Sequence, residues 1–255
     1  MAAPASVASP LDHLVWRGDQ LATPVLPGRP TGHAALDAAL PGGGWPPAAL
    51  TELLLPRNGV GELGLLLPQL AAVPSGRWAA CIAPPGLPYA PALAAAGVPL
   101  DRLLIVQAES SAHARWAARQ ALDSRSCEVV LLWLAEADMG ALRRLQLAAE
   151  ESGTPLILLR PESAAHQPSP AVLRLALTPC RGGVGIRILK RRGPQLAAAL
   201  ALQLPWPGEG SRPDGDTAPS PATAALQPPS SPGKHALVRP LPARSTPSGL
   251  HTRAQ

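Results

Sequence analysis

Sorting the chain by where apolar residues recur separates a long middle section, in which short apolar runs alternate with stretches of helical period, from two flanks where neither period holds. The clearest run is residues 128–134, where Val129-Val130-Leu131-Leu132-Trp133-Leu134 is almost uninterrupted, the pattern of a parallel strand buried on both faces. Residues 50–55, 77–83, 103–106 and 156–159 read as further strands. Between them, residues 62–73, 91–96, 111–123 and 138–151 read as helices; in the last, Leu142, Leu145 and Ala149 fall on one side and Arg143-Arg144 toward the other. Pro68 lies inside the first of these helices and predicts a kink. Strand and helix in alternation predict right-handed crossovers and an α/β fold with a mainly parallel sheet and helices on both faces.

Turn and capping residues sharpen the ends. Thr31 is placed to cap a short helix over 33–40, which Pro41-Gly42-Gly43-Gly44 stops. Pro56-Arg57-Asn58-Gly59-Val60-Gly61 reads as a tight loop between strand and helix. After Pro161, residues 172–177 and 184–190 flank the turn signal Pro179-Cys180-Arg181-Gly182-Gly183 and predict an antiparallel C-terminal strand pair on the sheet edge. A Leu- and Ala-rich helix is expected over 194–204. Residues 1–30 hold five prolines around Leu14-Val15-Trp16 and read as an N-terminal arm. From residue 205 Pro, Ser, Gly and Thr dominate, and such a segment buries too little surface to offset its ordering entropy. The expected organisation is an arm over 1–30, one domain over 31–204 and a disordered Pro-rich tail over 205–255.

Composition changes this picture in two places. The 255 residues include no Phe, one Tyr, six Trp and 33 Pro, and among the 22 basic residues only Lys190 and Lys234 are lysines, a pattern that GC-rich codon usage produces. The net charge of +5 is unevenly spread: acids exceed bases through Glu162, whereas residues 163–208 hold six bases and no acid, which argues for a localised basic face. The longest uncharged stretch, 78–100, is broken by prolines and glycines, so no membrane helix is expected there. Met1 to Pro10 has neither a basic nor an apolar region of the secretory type. Cys81, Cys127 and Cys180 lie far apart without CxxC spacing and read as free thiols of a reducing cytoplasm.

Leu36-Asp37-Ala38-Ala39-Leu40, Gly42-Gly43-Gly44-Trp45-Pro46 and Thr51-Glu52-Leu53 resemble, in order and spacing, the RecA segment that leads into its phosphate loop. A wider set resembles the ImuA family, RecA/SulA-like proteins associated with inducible translesion DNA synthesis. It includes Val15-Trp16-Arg17-Gly18-Asp19, the stretch from Leu36 through Leu53-Leu54-Leu55-Pro56 to Gly59-Val60-Gly61-Glu62-Leu63, and Ala83-Pro84-Pro85 with Pro88-Tyr89-Ala90-Pro91-Ala92-Leu93. It continues with Leu132-Trp133-Leu134, the run from Leu142 to Glu150, Leu159-Arg160-Pro161, and Ile188-Leu189-Lys190-Arg191-Arg192-Gly193, and so spans about residues 14–194. The resemblance implies a RecA-like core and a cytoplasmic, non-catalytic accessory protein of the SOS response. The partners it implies are an ImuB-like polymerase homologue, an error-prone DNA polymerase III alpha-type subunit, and RecA itself. The alternative is a SulA-like cell division inhibitor that binds FtsZ. That family shares the degenerate glycine loop and the Trp-Leu strand ending, but not the N-terminal lead or the strand over 184–193.

The residues that would carry chemistry point away from catalysis. A working phosphate loop, GxxxxGK[ST], needs a lysine for the phosphates and a hydroxyl for Mg²⁺. Here the loop runs Pro56-Arg57-Asn58-Gly59-Val60-Gly61-Glu62, no register supplies a lysine, and none occurs before Lys190. Glu62 instead brings a negative charge to a helix start, where it suits the helix dipole and repels an anion. The strand ending Leu132-Trp133-Leu134 carries no Walker-B aspartate, and Glu136 and Asp138 beyond it read as helix-start residues. The six histidines show no i, i+4 pair, and Ser110-Ser111 with His113 reads as a helix cap, so neither a cofactor nor a metal is expected.

Arg174, Arg181, Arg187, Lys190, Arg191 and Arg192 are candidate contacts to DNA phosphates or to an acidic protein, against the plain reading of a charged edge pair. Strand alternation is expected to split them between two faces, with Lys190-Arg191-Arg192 the best-placed patch. Trp45 and Trp133 read as packed residues, and Trp206, between Pro205 and Pro207, as a candidate partner anchor.

Overall fold

Residues that alternate along each strand are buried on opposite sides, and that decides the layering. The computed structural model describes residues 26–193 and 199–204; the arm through residue 25, residues 194–198 and the expected tail with Trp206 lie outside the described residues. The elements are α1 (Ala34–Ala39), β1 (Leu50–Leu55), α2 (Glu62–Ala71), β2 (Trp78–Ile82), α3 (Ala90–Ala95), β3 (Leu103–Val106) and α4 (Ser111–Asp123). They continue as β4 (Cys127–Trp133), α5 (Met139–Ser152), β5 (Leu156–Pro161), β6 (Leu173–Cys180), β7 (Gly183–Lys190) and β8 (Leu200–Gln203). The strands form one sheet in the order β3-β2-β4-β5-β1-β6-β7-β8. Pairing is parallel from β3 to β6, and antiparallel for β6 with β7 and β7 with β8.

On the first face Leu53, Leu55, Val129, Leu131, Ile157 and Leu159 pack with Leu36 of α1, Leu65, Leu66 and Leu70 of α2, and Leu93 of α3. On the second face Leu50, Val130, Leu132, Leu156 and Leu158 pack against Ala114, Ala118 and Leu122 of α4 and Leu142 and Leu145 of α5. Because both alternating sets are covered, β4 needs apolar residues at every position, which is why it reads as an unbroken run. Trp45 and Trp133 are both buried in the first-face core. A 3₁₀ turn at Glu162–His166 adds Ala164 against Leu54 and Ala176 on the second face.

Local chemistry sets the helix ends. Ser110 Oγ accepts from the His113 N–H at 3.2 Å at the start of α4, and Asp138 Oδ1 accepts from the Ala141 N–H at 2.7 Å at the start of α5. Gly153, at φ 71°, lets α5 end in a left-handed cap. Thr31 acts one step earlier than expected: its hydroxyl takes the His33 N–H at 3.1 Å while Asp37 Oδ1 takes the Thr31 N–H at 2.7 Å, and His33 is the N-cap of α1. Pro68 sits within α2 without ending it.

The C-terminal end departs from expectation. Residues 200–203 form β8 where a helix was expected to continue, so the edge holds three strands, β6 to β8, instead of a simple pair. Leu and Ala favour a helix locally, but β7 leaves an open ladder, and the alternation of buried Leu202 with exposed Ala201 and Gln203 matches that edge. No helix among the described residues is long and apolar enough to cross a membrane.

Candidate functional site

The glycine loop leaves the C-terminal end of β1, at the centre of the sheet, and feeds α2. Gly59 at φ 80° and Gly61 at φ 109° adopt left-handed backbone that other residues resist, so the loop turns sharply between strand and helix. One of its N–H groups, that of Gly59, meets the chain's own carboxylate. Glu62, the first residue of α2 and 4% exposed, turns back so that Oε1 accepts from the Gly59 N–H at 2.7 Å. Its Oε2 is buried without a hydrogen-bond partner among the described residues. A donor taken by a fixed internal anion is withdrawn from an external phosphate, and the second oxygen adds repulsion.

Around the loop, Pro56, Arg57, Asn58 and Gly59 are exposed and Val60 is buried. A crevice of about 320 Å³ opens beside it at the ends of β1, β4 and β5, lined by Leu55, Arg57, Asn58, Trp133, Leu134 and Arg160 among others. No carboxylate or hydroxyl side chain of the kind that holds Mg²⁺ at such a crevice lines it; its polar lining residues are Arg57, Asn58 and Arg160. The acids beyond β4 are turned elsewhere: Asp138 caps α5, and the Ala141 N–H holds its carboxyl below the usual range, Arg144 adding a smaller pull. On the other side, Leu204 covers the loop so closely that a Cβ added at Gly61 or Gly64 would lie 3.2 Å from Leu204 Cδ1. Among the described residues no three His, Cys, Asp or Glu come together to hold a metal ion.

The six candidate cations after residue 162 do not form one patch. Arg174 is buried: its Nε donates to Glu52 Oε2 at 2.6 Å and its Nη2 to the Ala164 carbonyl at 2.7 Å, so it is removed from any phosphate-facing role. Arg160 Nη1 donates to the other oxygen of Glu52 at 3.3 Å, and Ser169 Oγ to the same oxygen at 2.9 Å. This two-arginine, one-glutamate cluster joins β5, β1 and β6 on the second face. Charged residues this deep are found only when paired. The sequence signal for it was a Glu and an Arg inside apolar strand runs, at Leu50-Thr51-Glu52-Leu53 and Leu158-Leu159-Arg160.

The other five candidates stay nearer the surface. Arg191 donates to the Ala39 carbonyl, and Arg192 and Arg181 are exposed. Lys190 Nζ donates to the Ser169 carbonyl at 3.0 Å, and Arg187 Nη2 lies 3.9 Å from Glu162 Oε1. The expected split of these residues between two faces is altered by a β-bulge. Arg174 pairs with Lys190 but Leu175 pairs with Ile188, so Leu189 is an extra residue and Lys190 is moved to the face of Arg174. Arg187, opposite Ala176, is on that same second face.

No protein-family model and no curated protein matches the chain. Among solved structures, the crystal structure of SulA from Pseudomonas aeruginosa is similar: 30% identity over 45% of this chain and 98% of that one, with a TM-score of 0.39.

Proposed function

We propose that this chain is a non-catalytic RecA-like accessory protein of SOS-induced translesion DNA synthesis, which scaffolds an ImuB-like adaptor and an error-prone polymerase in the cytoplasm. The observation that carries the non-catalytic part is the Glu62 carboxylate seated on the Gly59 N–H, in a loop with no lysine. A loop that supplies its own anion and lacks the phosphate-loop lysine is poorly suited to stabilise a transferring phosphoryl group. The protein then acts through its surfaces. The partners rest on the resemblance of residues 14–194 to the ImuA family, which also brings in RecA as a third contact.

Two measurements test this reading. Calorimetry with ATP and Mg²⁺ is expected to show no saturable heat, and saturable binding would restore the ATPase reading. Co-purification with an ImuB-like protein is expected at micromolar concentration, and failure to associate would remove the scaffold. The alternative, a SulA-like division inhibitor, shares the lysine-free loop and the Trp133-Leu134 strand ending. It predicts that the chain lowers the amount of FtsZ polymer recovered by sedimentation.

A further inference from the structure

The second face of the sheet changes character beyond β1. From β2 to β5 it lies under α4 and α5, and at Arg174, Ala176 and Leu189 under the Glu162–His166 turn, whereas Thr178, Cys180, Arg187, Ala201 and Gln203 on β6, β7 and β8 are exposed. Gly183 and Gly185 lie on this face opposite Cys180 and Thr178, so the middle strand carries no side chain at those positions. The space at both is taken within the sheet: a Cβ at Gly183 would run into the Leu202 carbonyl of β8, and one at Gly185 would lie 2.6 Å from Thr178 Oγ1. The exposed part of this face carries few large apolar residues, with Arg181 at its turn end and Arg187 and Lys190 toward the other.

The bulge at Leu189 makes this cationic border. Without the extra residue, Lys190 would share the face of Ile188, which is buried in the first-face core; with it, Lys190 joins Arg187 on the open side. Glu162, near Arg187, is the single acid between Glu151 and Glu209, so this exposed part keeps a positive balance. Tryptophan and tyrosine are absent from β6, β7 and β8, and the chain has no phenylalanine, so these three strands offer single-stranded bases no ring to stack on.

We propose that the open face of β6, β7 and β8 binds the backbone of double-stranded DNA without regard to sequence, with Arg181, Arg187 and Lys190 meeting phosphates. Duplex DNA carries a charge about every 1.7 Å of its axis, so cations spread along one strand all find a phosphate. The proposal stands apart from the translesion reading: a scaffold that never touches DNA would leave that reading intact, and a DNA-binding division inhibitor would leave this one intact.

The test is fluorescence anisotropy of the full chain with a labelled 30-base-pair duplex and its single strand, between 50 and 200 mM salt. The triple variant Arg181→Gln, Arg187→Gln, Lys190→Gln is expected to bind the duplex at least tenfold more weakly at 50 mM salt, with a log–log salt slope shallower by about 3. A control triple with the same charge loss elsewhere, Arg57→Gln, Arg125→Gln, Arg143→Gln, is expected to bind within twofold of the parent. The charge-keeping triple Arg181→Lys, Arg187→Lys, Lys190→Arg is expected to keep the parent slope. The proposal is overturned if the parent shows no duplex binding at tens of micromolar in 50 mM salt, if the control triple loses as much as the first, or if the single strand binds more tightly.

Discussion

The five strands from β3 to β1 and the three from β6 to β8 share one sheet but solve burial differently. In the first group both alternating sets of residues are buried on β4, β5 and β1 and along most of β2, because parallel connections bring helices that land on one face or the other, while Leu104 on the edge strand β3 stays exposed. In the second, β6 and β7 are joined by a tight turn, which brings no helix. Val184, Ile186, Ile188 and Leu202 fill the first-face core, while Arg187, Ala201 and Gln203 face out.

The two groups are joined at β1, and the Glu52 cluster is where the comparison breaks most easily. Glu52→Leu leaves Arg160 and Arg174 buried without their counter-charge and is expected to cost about 3–5 kcal/mol in urea unfolding. A loss below about 1 kcal/mol would mean that the β5-β1-β6 joint is held by apolar packing alone.

A smaller contrast comes from matched leucines. Leu131→Ala, in a strand covered on both faces, is expected near the upper part of the usual range, about 4 kcal/mol, and Leu202→Ala, on the edge strand, near the lower part, about 2 kcal/mol. Equal losses in the same denaturation series would erase the distinction between the halves.

Thiol reactivity probes the same contrast without mutation. Burial pushes the Cys81 thiol up to about 12, and burial also raises Cys127 against a weaker opposing pull from Arg77. Cys180 is exposed on the open face. At pH 8 the folded chain is expected to release one equivalent of colour with a disulfide reagent, and three after unfolding. More than one in the folded state would show that the covered half opens readily.

The smallest effect concerns the cap of α5. The folded pKa of Asp138 lies below its ordinary value of 3.8, so its contribution to stability is present above that value and is lost as pH falls through the lowered one. Asp138→Ala is expected to lower Tm at pH 7 and to flatten the acid limb of the Tm profile below about pH 4. An unchanged acid limb would assign the acid sensitivity to other carboxylates.

Much of the candidate site was legible in the linear pattern. The absence of a lysine before residue 190 is a fact of composition, and Glu62 at a helix start follows from the spacing of Gly59-Val60-Gly61. The role of Glu62 as the acceptor for Gly59 needed coordinates, since a side chain three residues away has other places to point. Arg174 looked equivalent to Arg187 because strand residues are read by period, and period does not say which face a neighbouring element covers. The bulge at Leu189 was hidden for a related reason: it is a relation between two strands, Arg174 with Lys190 and Leu175 with Ile188, and leaves no mark on either strand alone.

By itself the sequence determined the order of strands and helices through β7, the caps at Ser110 and Asp138, and a glycine loop without a phosphate-binding lysine, because these depend on residues within a few positions of each other. Tertiary structure decided which charges went inside. Glu52 meets Arg160 and Arg174 across 108 and 122 residues, and only the sheet order β5-β1-β6 brings them within hydrogen-bond reach. It also decided that residues 200–203 are a strand, because the open edge of β7 offered backbone partners that no local preference for helix could match.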